Sequence, residues 1–140
     1  MLALNPDYRQ AFDQAGYTLK GLIGISGPYD FLPIRDLDIL EVFGDKAKSM
    51  ESQPVHYASS QAPPTLLLTS KLDIVVRQRN AHRLAQALTD FGVSAETKVY
   101  PNLTHAGTVL ALAGPLRWRA PVLDHVLTFI RHHAGVGAGK

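Results

Sequence analysis

Apolar residues along this chain fall into two rhythms, short unbroken runs and stripes repeating at helical spacing. Residues 19–26 (Leu-Lys-Gly-Leu-Ile-Gly-Ile-Ser) form a near-continuous apolar run bounded by Gly27-Pro28, which predicts a buried parallel strand. A second strand is predicted over 65–69. It leads through residues 70–76 to a helix over 78–91 whose apolar face is Ala81, Leu84, Ala85, Leu88 and Phe91. Gly92 stands where a helix-ending glycine belongs. A third strand over 95–100 stops at Pro101-Asn102, and a short helix over 106–113 stops at Gly114-Pro115. The last helix runs over 121–133, with proline tolerated at its first position and Val122, Val126, Phe129 and Ile130 as its stripe.

Earlier segments carry weaker patterns. Residues 1–4 are an apolar stub, and Asn5-Pro6 after them reads as the close of a helix. Residues 38–43 predict a short helix ended by Gly44, and 45–64, polar and broken by prolines, predict loop with one helical turn. Strand–helix alternation makes the fold class α/β, with three parallel strands and flanking helices. The run at 19–26 is apolar on both faces and carries no protective charge or proline, which marks it as a central strand. Three strands supply no neighbour for its other side, so the amino-terminal half of the sheet is expected to be missing. Residues 1–134 form one domain portion, and 135–140 (Gly-Val-Gly-Ala-Gly-Lys) a flexible tail.

Composition narrows the function classes. Hydrophobic content of 46% against 19% charged residues belongs to a folded domain and excludes wholesale disorder. The absence of cysteine removes disulfides, thiolate metal sites and cysteine nucleophiles together. A net charge of +2, with Arg117-Trp118-Arg119 as the densest basic cluster, does not make a nucleic-acid stripe. No apolar run reaches the roughly 20 residues of a membrane span. Met1-Leu-Ala-Leu-Asn-Pro is no signal peptide. No compartment is assigned, and cytoplasmic is only the default.

Two residues carry candidate chemistry. Asp73 lies just past the predicted second strand and His105 just past the third. Open parallel sheets place ligands and chemistry at those carboxyl ends. Adjacent strands would let a carboxylate hold the imidazole tautomer while the ring acts as general base and acid. Each residue also has a structural alternative, a turn-capping aspartate and a packed histidine.

The ordered set of segments resembles the esterase and lipase branch of the α/β-hydrolases. Pro63-Pro-Thr-Leu-Leu-Leu-Thr-Ser-Lys-Leu-Asp73-Ile-Val-Val is similar to the acid-bearing segment of that family, with Asn80 opening the helix after it. Tyr100-Pro-Asn-Leu-Thr-His105-Ala-Gly resembles its histidine loop. Gly24-Ile-Ser-Gly-Pro-Tyr-Asp30 resembles the strand and turn after the nucleophile helix in bacterial carboxylesterases and kynurenine-formamidase-like members, and Met1-Leu-Ala-Leu-Asn-Pro the tail of that helix. The resemblance implies a Ser-His-Asp hydrolase of carboxylic esters or related amides, with Asp73 as triad acid and His105 as general base. It implies no metal or organic cofactor and a small-molecule ester or amide substrate.

One part of the pattern is absent. No Gly-x-Ser-x-Gly turn occurs in the sequence, so no nucleophile is carried over. Ser26, in Gly24-Ile-Ser-Gly27-Pro28, falls one glycine short, and Pro28 removes a backbone donor. Ser26, Tyr29 and Asp30 are therefore expected to line the pocket, and Ser70, on the acid's own loop, is a weaker candidate still. The other histidines have no ligand-like spacing, and the glycine-rich tail lacks a phosphate loop's first glycine and its Ser/Thr. Trp118 reads as a packing anchor. The expectation is a hydrolase portion inactive as an isolated chain. The alternatives are a non-catalytic module that pairs or self-associates through an exposed sheet edge, and a small enzyme using Ser26.

Overall fold

Asn5 and Pro6 open a helix where the sequence pattern had them closing one. The computed structural model describes residues 1–34, 37–43 and 50–135. In it helix α1 spans Pro6–Gln14, with Pro6 in the first turn and the Asn5 Oδ1 accepting the Asp7 N–H at 2.8 Å. Asparagine as cap and proline at the first position are both start signals, and the short apolar stub before them obscured this.

Strand β1 spans Leu22–Ile25, β2 Thr65–Ser70 and β3 Ala95–Tyr100, all parallel in the order β1-β2-β3. Gly24 pairs with Leu67 and Leu67 with Thr97. All six residues of β2 are buried, which is why it shows consecutive leucines at 66–68 and no in–out alternation. β1 is shorter than the run that predicts it and pairs, among the described residues, with β2 alone. The outer strand β3 is mostly half-buried and carries a Glu96–Lys98 ion pair at the surface, the composition of a strand with one open edge.

Helix α2 spans Leu37–Phe43; Gly44, its expected stop, lies outside the described residues, as do 136–140 of the expected tail. Short 3₁₀ turns cover Met50–Ser52 and Pro54–Tyr57. Helix α3 (Arg79–Asp90) packs Ala81, Leu84 and Leu88 with Leu67, Val93 and Leu4 on one face of the sheet. Phe91, expected on this face, falls at the helix end and is 54% exposed, because Gly92 at φ +76° turns the chain away there. On the other face Leu66 and Leu68 meet Tyr100, Leu103, Ala111, Val122 and Phe129, from β3, α4 (His105–Leu110) and α5 (Val122–Ala134) and their connections. Ile130 of the expected α5 stripe is 40% exposed. A 3₁₀ turn at Gly114–Arg119 joins α4 to α5 and leaves Trp118 exposed, so it anchors no packing among the described residues.

Tyr29 folds back over β1 onto the α3 face, and this explains Gly24. A Cβ added at Gly24 would lie 2.0 Å from the Tyr29 hydroxyl and 2.9 Å from Leu67 Cδ2. Gly24→Ala is expected to lower stability by about 1–3 kcal/mol, the usual cost of overpacking. In Tyr29→Phe, which removes the nearest clashing atom, the same substitution should cost less; urea unfolding of the double-mutant cycle checks this.

Burial pushes the Tyr29 hydroxyl up to about 12, against a smaller opposing pull from the Gly27 backbone, and burial alone raises Tyr100 to about 12. Between the unfolded value of about 10 and these values the folded chain holds protons that the unfolded chain releases. Stability is thus fully present below about pH 10 and falls as pH rises toward 12. Urea midpoints measured across that window should drop, and Tyr29→Phe should make the drop shallower.

Candidate active site

β2 ends at Ser70, and the chain turns through Lys71, whose N–H donates to the Tyr100 carbonyl at 2.9 Å, to reach Asp73. That bond ties the acid's loop to the tip of β3. Asp73 is 4% exposed, and its Oδ1 accepts the N–H groups of Val75 at 3.0 Å and Val76 at 2.7 Å. The aspartate does cap its turn, as the structural alternative had it, but only one carboxylate oxygen is used.

The second oxygen faces histidine. Asp73 Oδ2 and His105 Nδ1 are 2.8 Å apart. His105 is the first residue of α4, whose start is capped by the Thr104 hydroxyl accepting the Gly107 N–H at 3.2 Å. The Asp73 side chain is fully buried and that of His105 is 38% exposed. A buried carboxylate is expensive unless it is hydrogen-bonded, and here each oxygen has partners. An ionised Asp73 accepts the Nδ1–H, which leaves the lone pair on Nε2 and makes that nitrogen the ring's proton acceptor.

Among the described residues, none of the three expected pocket residues hydrogen-bonds to this pair. Ser26 follows β1 at φ +48°, a left-handed backbone uncommon for a residue with a side chain, and its N–H donates to Leu68 O at 2.8 Å. Its hydroxyl is buried without a hydrogen-bond partner, and so is that of Ser70, so neither is joined to His105. Tyr29 belongs to the α3-side core. Asp30 accepts from Arg83 on α3. His125 pairs through Nδ1 with the Tyr100 hydroxyl at 2.8 Å. Among the described residues no three His, Asp or Glu side chains converge to hold a metal ion. No described helix is long and apolar enough to cross a membrane.

Two buried amides escaped the sequence pattern. Asn80, 6% exposed, accepts the N–H groups of Tyr29 at 3.1 Å and Asp30 at 2.8 Å. Gln53, 1% exposed, accepts the Phe31 N–H at 2.6 Å. Both stand in polar stretches, where nothing in the local pattern distinguishes a buried amide from a solvated one; for Asn80 the signal was its place in the first turn of a helix that follows the acid.

The family model described as the prolyl oligopeptidase family matches residues 37–136. Among solved structures, a carboxylesterase from Lactobacillus plantarum matches with 15% identity and a TM-score of 0.74, over 99% of this chain and 54% of that one. A thermophilic esterase from the planctomycete Thermogutta terrifontis matches at 17% identity and TM-score 0.61, over 88% of this chain and 46% of that one. The acylaminoacyl peptidase of Pyrococcus horikoshii matches at 20% identity and TM-score 0.65, over 87% of this chain and 21% of that one. The chain spans about half the length of the first of these structures. A search of the curated proteins gave no match.

Proposed function

The chain belongs to the prolyl oligopeptidase family, its three parallel strands forming part of an α/β-hydrolase fold, and from that premise we propose that Asp73 and His105 are the acid and base of a serine hydrolase. The observation that carries this is the 2.8 Å contact between a buried carboxylate and a part-exposed imidazole at the tips of neighbouring parallel strands. His105 Nε2 takes the proton of a serine hydroxyl as its oxygen bonds to the substrate carbonyl, and Asp73 steadies the imidazolium. The imidazolium then protonates the leaving alkoxide or amine as the carbonyl–heteroatom bond breaks. Water, deprotonated by the same nitrogen, releases the acyl group and restores the serine.

The serine and the donors that hold the carbonyl oxyanion are supplied by residues outside these 140. Carboxylic esters are the proposed substrates, with related amides second. The esterases among the similar structures support that order, as do Leu72, Ile74 and Val75, exposed apolar side chains flanking the acid that suit an apolar acyl group. The isolated 140-residue chain is expected to hydrolyse p-nitrophenyl esters no faster than its His105→Ala variant. A rate that falls on that substitution, together with a serine of the chain found acylated by mass spectrometry, would place the nucleophile within the chain and overturn this part of the proposal.

A pairing role has one observation of its own, the apolar β1, whose second edge has no partner among the described residues. It predicts dimers in sedimentation that Ile23→Lys dissolves.

A further inference from the structure

We propose that Asn80 is a positioning residue that locks the loop after β1 to the catalytic acid's loop, so that the two hold their geometry as one unit. The inference rests on the acid–base assignment of Asp73 and His105. Asn80 sits in the first turn of α3, buried, with all of its side-chain polar groups directed at backbone. Its Oδ1 accepts the consecutive N–H groups of Tyr29 and Asp30. Its Nδ2 donates to the Arg77 carbonyl at 3.2 Å, which its own backbone N–H also reaches at 3.0 Å.

Those contacts close a circuit. Residues 73–77 are held at one end by the Asp73 carboxylate on Val75 and Val76 and at the other by Asn80 on Arg77. The other half of the Asn80 amide grips the β1 loop, whose next N–H, from Phe31, goes to Gln53, and whose Asp30 carboxylate is held by Arg83 of the same helix. The loop that follows β1 therefore hangs from the helix that follows the acid. Only a group with an acceptor and a donor on one short planar tip makes both connections. A carboxylate there would keep the bonds to Tyr29 and Asp30 but face the Arg77 carbonyl with no proton to give. Among the described residues no hydrogen bond joins Asn80 to His105, whose ring bonds to Asp73, so the proposed effect on the histidine passes through Asp73.

The test reads the Asp73–His105 contact without needing turnover. In proton NMR of the 140-residue chain, a ring N–H held by a buried carboxylate gives a downfield resonance in slow exchange with water, and Asp73→Asn should abolish it. Asn80→Asp should also lose that resonance while the Tyr29 and Asp30 amides stay protected, and Asn80→Ala should lose both. An unchanged His105 resonance in Asn80→Asp overturns the inference and leaves the acid–base assignment standing. A resonance absent from wild type, or indifferent to Asp73→Asn, overturns the assignment itself. Hydrogen exchange of the wild-type chain gives a second reading independent of variant folding. The amides of Tyr29, Asp30 and Val76 should open together, with protection agreeing to within about a factor of ten. Tyr29 and Asp30 opening far more readily than Val76 would overturn the coupling.

Discussion

Asp73→Asn is expected to lower the kcat of the proposed hydrolase by about 10⁴-fold, with KM nearly unchanged. The substitution is close to isosteric, and the amide oxygen can still accept from Val75 and Val76, so the loop keeps its shape. What changes is the atom facing His105. An NH₂ group opposite Nδ1 donates to it, which places the ring's proton on Nε2, where it cannot take one from serine. Asp73→Ala removes the cap as well, and should add about 0.5–2 kcal/mol of destabilisation that Asp73→Asn does not share. Steady-state kinetics and urea unfolding of the two variants separate these effects. A kcat loss under tenfold in Asp73→Asn would mean that the carboxylate is a turn cap and little more.

Leu67→Ala carries the largest expected cost to stability, about 2–5 kcal/mol. Leu67 is fully buried at the middle of the central strand, among Leu84 and Leu88 from α3. Deleting its side chain removes the contacts on which that face is built and leaves a void that rigid neighbours cannot fill. Against a total of about 5–15 kcal/mol for an ordinary domain, that is a large fraction. Lys98→Ala, which breaks the exposed pair with Glu96, is expected to cost about 0–1 kcal/mol. Urea denaturation of both variants checks the contrast, and a Leu67→Ala loss no larger than that of Lys98→Ala would contradict the packing described above.

Much of the fold was legible because burial and periodicity agree in it. β2 is buried on both faces and carries Leu66, Leu67 and Leu68 at its centre; α3 shows its face at Ala81, Leu84 and Leu88 and ends at a glycine with positive φ. Legibility failed where one residue type serves two purposes. Asn5-Pro6 punctuates both ends of helices, and the capping bond to Asp7, a contact between neighbours invisible to periodicity, decides which. β1 is shorter than its apolar run because Leu19 and Gly21 are apolar without lying in the ladder.

The site divides along the same line. The proximity of Asp73 and His105 was readable because a parallel sheet converts chain order into spatial adjacency, and strand tips are fixed by strand ends. The contacts made by Tyr29 and Asp30 after β1 were not legible. The chain reverses there, sending Tyr29 back over Gly24 and Asp30 to Arg83. No pattern within a single segment reports such a reversal. Asn80 and Gln53, which hold it, make their bonds across 50 or more residues and 22 residues of sequence respectively.

The most direct test of the account is labelling of the native protein in extracts of its source cells with a fluorophosphonate, followed by mass spectrometry of the labelled species. The account predicts that peptides from these 140 residues appear in a labelled polypeptide larger than 15.3 kDa, with the modified serine outside them. A probe attached to Ser26 or Ser70, or an unlabelled species of 15.3 kDa as the sole form, would contradict it.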